Sequence, residues 1–400
     1  MTVASMLGAD GAVTRLDLGA PRAVTRPAGP LSSRVVYAAA HVVPNAWGDN
    51  TPGRPAELDW DTTLAFRHHV WSWGLGVADA MDTAQRNMGL DAIATRELIA
   101  RSAAEAASVG GALIVGVNTD HVKDEAIGLD TIVAAYLEQL AFAEDHGAGV
   151  VLMASRHLAR AAAGPDDYRR VYGRVLERAQ APVVLHWLGE AFDPALRGYF
   201  GSADAEAAAS VLIDIIGEHS DKVSGVKMSL LDAEAEVAVR GRLPRTARMF
   251  TGDDFNYVGL IAGNGSGMGA EQPGSYSDAL LGAFAAFPTL ASASVQALDR
   301  GDRAGYFDVL GPTEALARRI FAAPTFYYKT GVAFLSWLNG HQPAFAMVGG
   351  LHAARSLPHL SEIVRLADAA GALEDPELAA ARWGGLLELN GVHVPGRVTV

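Results

Sequence analysis

The side chains best able to do covalent chemistry in this chain are scarce. Of 32 basic residues only four are lysine, at positions 123, 222, 227 and 329; the rest are arginine. A guanidinium stays charged near neutrality, whereas an amine can lose its proton and attack a carbonyl carbon. Lys227 lies in VSGVKMSLLD, at the close of an apolar run. Burial there disfavours the ammonium form, so the pKa should fall and neutral amine become available for a Schiff base. An imine withdraws electrons and so suits the making or breaking of a C–C bond. A lysine paired with a carboxylate, or holding a phosphate, fits the same position, and spacing alone leaves both readings open. Cysteine is absent, which excludes disulfides, thiolate metal sites, iron–sulfur clusters and a cysteine nucleophile.

Elements that could place Lys227 recur along the chain. Short apolar runs occupy 35–40, 76–81, 113–117, 149–153, 182–185, 223–226 and 248–251, with a weaker eighth at 266–270. Helical periodicity separates them. Ile132, Tyr136 and Leu140 fall four apart, with Gly147 as the stop; Pro165 opens a helix carrying Val171, Val175 and Leu176; Val211, Leu212, Ile215 and Ile216 form a stripe ended by Gly217. Eight strand–helix units within roughly 250 residues predict a (β/α)8 TIM barrel of the α/β class. A doubly wound sheet is the alternative. The first run leads into His41-Val42-Val43-Pro44-Asn45 rather than a GxGxxG turn, which argues against a dinucleotide fold. Residues 1–33 read as an N-terminal extension with a short hairpin, 34–290 as the barrel, and 291–400 as a C-terminal helical module packed on it.

Barrel enzymes carry reactive groups just beyond the C-terminal ends of the strands. Those positions hold His41, then Asp82 and Thr83, then Asn118, then Ser155, Arg156 and His157, then His186, Lys227, Asp253 and Asp254, and lastly Glu271 and Gln272. Gln85 and Asn87 follow closely on Thr83. Asp82, Thr83, Gln85, Asn87, Asn118, Asp253 and Asp254 are the candidate substrate contacts. Asp82 could equally pair with Arg86 or cap a helix, and Asp253-Asp254 also suits a helix cap. His68-His69 falls mid-helix and reads as solvated or packing. The run 263–269, GNGSGMG, could cradle a phosphate or simply turn into a strand.

The chain is 50% hydrophobic and 19% charged, enough for a large core. Its net charge of −13 and the lack of a basic run argue against nucleic acid and anionic membranes as partners. No signal peptide or transmembrane stretch is recognisable, so a cytoplasmic protein acting on a small molecule is expected, with no cofactor and no metal.

VSGVKMS resembles the sixth-strand segment of the dihydrodipicolinate synthase/N-acetylneuraminate lyase family, where a Gly-[Ile/Val]-Lys carries the imine lysine. MFTGDD at 249–254 is similar to that family's Gly-Asp-Asp segment, LDWDTTLAFRHHVWSWG at 58–74 to its first helix, and PTFYYKTGVAFLSWLNG at 324–340 to a C-terminal helix with an internal lysine. The matches keep their order over 34–375 and imply a divergent branch of these class I aldolases. They imply that Lys227 is the nucleophile, that Lys329 is structural or interfacial, and that the protein is a homodimer or homotetramer.

Departures from the family shape the expected substrate. Asp82-Thr83-Ala84-Gln85-Arg86-Asn87 stands where Gly-Thr-Thr-Gly-Glu holds a substrate carboxylate, and Asp82 would repel one. His186, in Leu185-His186-Trp187, stands where a tyrosine relays protons; an imidazole near 6.5 suits that exchange better than a phenol near 10. The reading is a carbon–carbon lyase, with Lys227 as nucleophile and His186 as general acid/base. Its substrate is a hydroxylated, sugar-derived carbonyl compound. A divalent-metal barrel lyase or isomerase, with His41, Asp82, His186, Asp253 and Glu271 as ligand candidates, is the rival. A non-catalytic sugar-binding barrel is a third class.

Overall fold

The computed structural model describes residues 2–81, 85–263 and 274–393. A two-stranded antiparallel hairpin, β1 (Thr2–Leu7) and β2 (Val13–Leu18), opens the chain. Eight parallel strands then close into a barrel: β3 (Val36–Ala39), β4 (Gly76–Asp79), β5 (Leu113–Val117), β6 (Gly149–Leu152), β7 (Val183–Leu188), β8 (Val223–Ser229), β9 (Arg248–Thr251) and β10 (Asp278–Leu281). β10 closes the ring by pairing with both β9 and β3. Helices follow the strands and cover the barrel, which is the (β/α)8 architecture with a helical C-terminal part.

Alternation along each strand sends one set of side chains inward and the other toward the helices. Ala39, Ala78, Ile114, Val151, Val184, Phe250 and Leu280 fill the barrel interior. Val77, Val115, Val150, Leu185, Val226, Met249 and Ala279 join the larger core between strands and helices. Inward residues are small at Ala39 and Ala78 and bulky at Tyr37, Phe250 and Leu280, so the filling is uneven.

Seven of the eight predicted runs are strands. The eighth is a correction: the closing strand is Asp278–Leu281, whereas 266–270 lies outside the described residues and precedes it in the chain. The tetrad Asp-Ala-Leu-Leu has no β-branched residue and gives no strand signal. Two boundaries also move. β7 and β8 continue past 185 and 226, so His186 sits within its strand rather than after it, and β8 runs on from Lys227 to Ser229. A polar side chain facing the interior does not end a strand, although it interrupts an apolar run. Gly217 lies inside its helix, Ala205–Glu218, instead of ending it.

Helix starts follow local chemistry. Asp59, Asp91, Ser155, Asp204 and Asp232 each accept a hydrogen bond from a backbone N–H in the first turn of the helix that follows. Pro165 occupies the first position of helix Pro165–Leu176, as predicted. The hairpin is clamped to the last two helices: Trp383 Nε1 donates to the Ser5 carbonyl (2.6 Å), and Leu7 N–H donates to Ser361 Oγ (2.8 Å). No helix among the described residues is long and apolar enough to cross a membrane.

Candidate active site

Lys227 and His186 face the barrel interior side by side. Their strands pair in parallel, and His186 is the register partner of Lys227, with Leu188 opposite Ser229 one step further along. On the other side Lys227 is in register with Phe250 of β9. Gly252, just past β9, makes room for the lysine. A Cβ at that position would fall 2.8 Å from Lys227 Cε, 2.1 Å from Ser229 Oγ and 2.9 Å from the Met228 carbonyl oxygen. His186 is buried, and its Nε2 is hydrogen-bonded to Ser229 Oγ at 3.1 Å. Its Nδ1 is buried with no hydrogen-bond partner among the described residues. Burial, reinforced by the charge of Lys227, pushes the imidazole well below its ordinary value and keeps it neutral.

Asp254 completes the cluster. Its Oδ1 accepts the Ala283 N–H at 2.8 Å, across from the end of β10. Burial raises its carboxyl to about 7, against the lowering influence of the Ala283 N–H, Lys227 and Lys329. Asp253 plays a different part: its carboxylate accepts from the N–H groups of Phe255 and Asn256 and from the Asn256 side-chain amide, so it caps the turn after β9.

Lys329 is the unexpected member. It lies in helix Tyr328–Leu338 and is almost fully buried, which fits the structural rather than the interfacial of the two roles the resemblance implied. Its Nζ donates to the Ala39 carbonyl at the end of β3. Burial lowers its pKa to about 7, opposed by Asp254 and assisted by Arg67 and Lys227. Two lysines and one carboxylate therefore share a low-dielectric space at the C-terminal end of the barrel. Lys227 keeps 8% of its surface accessible and Lys329 only 2%. The scarcity of lysine pointed to both.

The far wall is built from His41 and Gln85. His41 Nε2 donates to Gln342 Oε1 at 2.9 Å, and burial, followed by the Lys329 charge, holds His41 down to about 3. Gln85 is buried and accepts the Val42 N–H at 2.6 Å. Arg67 ties this wall together. It makes paired hydrogen bonds to Asp79 (2.6 and 3.0 Å) and donates to the His41 carbonyl, with both charged groups wholly buried. Asp79 and Arg67 sat unnoticed in the sequence because strand and helix patterning treats each as an isolated charge.

Asp82 and Thr83 lie outside the described residues, as do Glu271, Gln272 and 264–269 of the glycine run. Glu271 and Gln272 precede β10 in the chain, so they do not follow the last strand. That strand instead leads into Gly282-Ala283-Phe284. Arg86 pairs with Asp120 at 2.6 Å. Asn118 is buried, donating to the Ala154 carbonyl and accepting the Thr119 N–H. Asn87, at φ 60°, borders two adjoining clefts. One of about 330 Å³ is lined by Asn118, Thr119, Asp120, Lys123, Arg156 and His157; the other, of about 290 Å³, by Arg86, Phe192, Asp193 and Phe326. Of the proposed metal ligands, His41, His186 and Asp253 do not converge as a three-ligand group among the described residues.

A closed eight-stranded parallel barrel with helices between its strands defines the class by fold: a (β/α)8 TIM barrel, here with a lysine and a histidine side by side inside it. The chain belongs to the family described as protein of unknown function (DUF993), which matches over residues 5–392. It is similar in fold to 4-hydroxy-tetrahydrodipicolinate synthase from Methylacidiphilum fumariolicum SolV (TM-score 0.63, 12% identity, covering 89% of this chain and 98% of that one). Dihydrodipicolinate synthase from Thermotoga maritima gives 0.61 at 15% identity (86% and 100%), and that from Aquifex aeolicus 0.60 at 11% (91% and 100%). No curated protein matches the sequence. Low identity over nearly the whole of those barrels shows a shared fold, the one the sequence resemblance implied.

Proposed function

We propose that the protein is a class I, imine-forming carbon–carbon lyase with Lys227 as its nucleophile. The observation that carries this reading is the buried set of Lys227, His186 and Asp254, gathered from β7, β8 and the exit of β9. Neutral Lys227 adds to the substrate carbonyl; the new C–N bond forms as the C=O pair moves onto oxygen, which takes a proton. Loss of water leaves the iminium. A base then removes the proton of a hydroxyl on the carbon beyond the adjacent one. The C–C pair collapses onto the imine nitrogen as an enamine, and a second carbonyl fragment departs. Protonation of the enamine carbon and hydrolysis return free lysine.

In this reading two groups share the proton work. A carboxyl near 7 is matched to giving and taking protons at neutral pH, so Asp254 carries that exchange. His186, held neutral, accepts or orients a hydroxyl and is poorly suited to donate as an imidazolium. The amides, hydroxyl and charges of both signs around Asn87, Asn118 and Thr119 support a hydroxylated, sugar-derived carbonyl substrate. The reading includes a cytoplasmic homodimer or homotetramer that needs no cofactor. Exposed Trp47, Ile93 and Leu389 are the large apolar side chains a second copy would cover.

The test is irreversible inactivation. Borohydride should abolish turnover only when a cleavable hydroxy-carbonyl compound is present, because reduction then traps the imine. A protein that turns such a compound over and remains fully active after reduction would rule the mechanism out.

A further inference from the structure

A second site lies outside the barrel mouth, on the side of the first barrel helix. His69 in helix Trp60–Ser72, His341 in the turn after helix Tyr328–Leu338, and Glu374 beyond helix Leu357–Ala369 bring one ligand atom each to within 4.8 Å of one another. His341 Nε2 is 3.1 Å from Glu374 Oε1, and the two imidazole rings are 4.2 Å apart, centre to centre. The sequence marked His69 as solvated or packing. It does pack, on Phe66 and His341, but its Nε2 is buried with no hydrogen-bond partner among the described residues. An orphaned buried nitrogen costs free energy that a ligand could recover.

We infer that His69, His341 and Glu374 form a three-ligand site for a zinc-class divalent cation, which clasps the C-terminal helices to the barrel. Two imidazoles and one carboxylate are a borderline-soft donor set suited to Zn²⁺. Ligand atoms on a tetrahedral zinc at ~2.1 Å stand about 3.4 Å apart, so the His341–Glu374 separation is already close to one edge. The ligands are held in place by their own partners. Asn339 Oδ1 accepts the Glu374 N–H at 3.0 Å, Asn339 Nδ2 donates to the Ala372 carbonyl, and the His341 N–H is bonded to the Ser336 carbonyl. These bonds fix the backbone from which His341 and Glu374 project.

The site is separate from the mouth yet linked to it. The Phe66 ring packs on His41 and also on His69 and His341. Gln342, next to His341 in the chain, holds His41 by hydrogen bond. A cation here would therefore fix both the C-terminal helices and the wall of the barrel site. The inference stands without the imine chemistry.

The experiment uses the full chain, stripped with a chelator and dialysed. Zn²⁺ is titrated against a chromophoric competitor, Co²⁺ is followed by its visible bands, and Tm is read in both states. One equivalent should bind with a tetrahedral Co²⁺ spectrum and a raised Tm. Loss of a ligand should cost at least the ~100-fold seen when supporting groups are removed, so H69Q and E374Q should each weaken binding by that much. H68Q, altered at the neighbour that pairs with Glu105, should bind as the parent does. Should H69Q not fold, E374Q alone decides, because Glu374 is partly exposed. Failure of the folded chain to take up either ion, or uptake that survives E374Q, would overturn the inference.

Discussion

His186 and Lys227 are register partners on adjacent parallel strands, and both side chains point into the barrel. The pairing fixes which groups can meet a carbonyl held at the lysine. Lys227→Ala should therefore lower turnover by about 10³-fold or more while the fold persists, since residues that act as a unit fail together. Circular dichroism and steady-state kinetics check both halves. Activity within tenfold of the parent would place the nucleophile elsewhere.

Gly252 is expected to tolerate no side chain. Alanine there would drive against Ser229 Oγ, Lys227 Cε and the Met228 carbonyl. Overpacking of this kind costs about 1–3 kcal/mol, and misplacing a reacting group by ~1 Å costs about 10²-fold in rate. Gly252→Ala should thus lose far more kcat than stability. Kinetics set beside a urea melt show which loss is larger.

Asp254 and Lys329 should leave a mark on stability against pH. Asp254 is raised from 3.8 to about 7, so the native chain holds a proton there that the unfolded chain releases across that window. Its contribution is complete below the unfolded value and declines as pH rises toward 7. Lys329 is lowered from 10.5 to about 7, so the unfolded chain binds the extra proton between 7 and 10.5, and stability rises with pH there. The two together produce a minimum near neutrality. Asp254→Asn should flatten the acid-side decline in urea melts run from pH 5 to 7. An unchanged slope would mean the carboxyl does not titrate in the fold.

Arg67 and Asp79 form a wholly buried ion pair. Removing one partner leaves the other charge uncompensated, at a cost of about 3–5 kcal/mol. Arg67→Met should lower stability by that order, and the double change Arg67→Met/Asp79→Leu should recover much of it. Equal instability in the single and double variants would contradict this.

Lys329→Met should keep the borohydride-trapped adduct on the protein while slowing turnover by up to about 10²-fold, the cost of a ~1 Å misplacement once its bond to the Ala39 carbonyl is lost. Loss of both adduct and activity in a folded variant would make Lys329 the reacting amine.

Much of the architecture was legible because strand runs and helix stripes alternate with the period of a barrel. Lys227, His186 and Asp254 were reachable from their places at strand ends. The closing strand was hidden, since four residues without β-branching carry little local signal and their pairing is decided by β3 and β9. The scarcity of lysine singled out Lys329, but its place beside Lys227 was hidden for a different reason. It comes from a helix far along the chain, and only tertiary packing brings its amine to the Ala39 carbonyl. His69, His341 and Glu374 meet from three distant segments, a convergence that no local spacing reveals.

Mapping the reduced adduct addresses the proposed chemistry most directly. After incubation with a substrate that is turned over, reduction with borohydride and proteolysis, mass spectrometry should find the added mass on the peptide carrying Lys227, and nowhere in the Lys227→Ala protein. A modified Lys329, or an unmodified chain despite turnover, would contradict it.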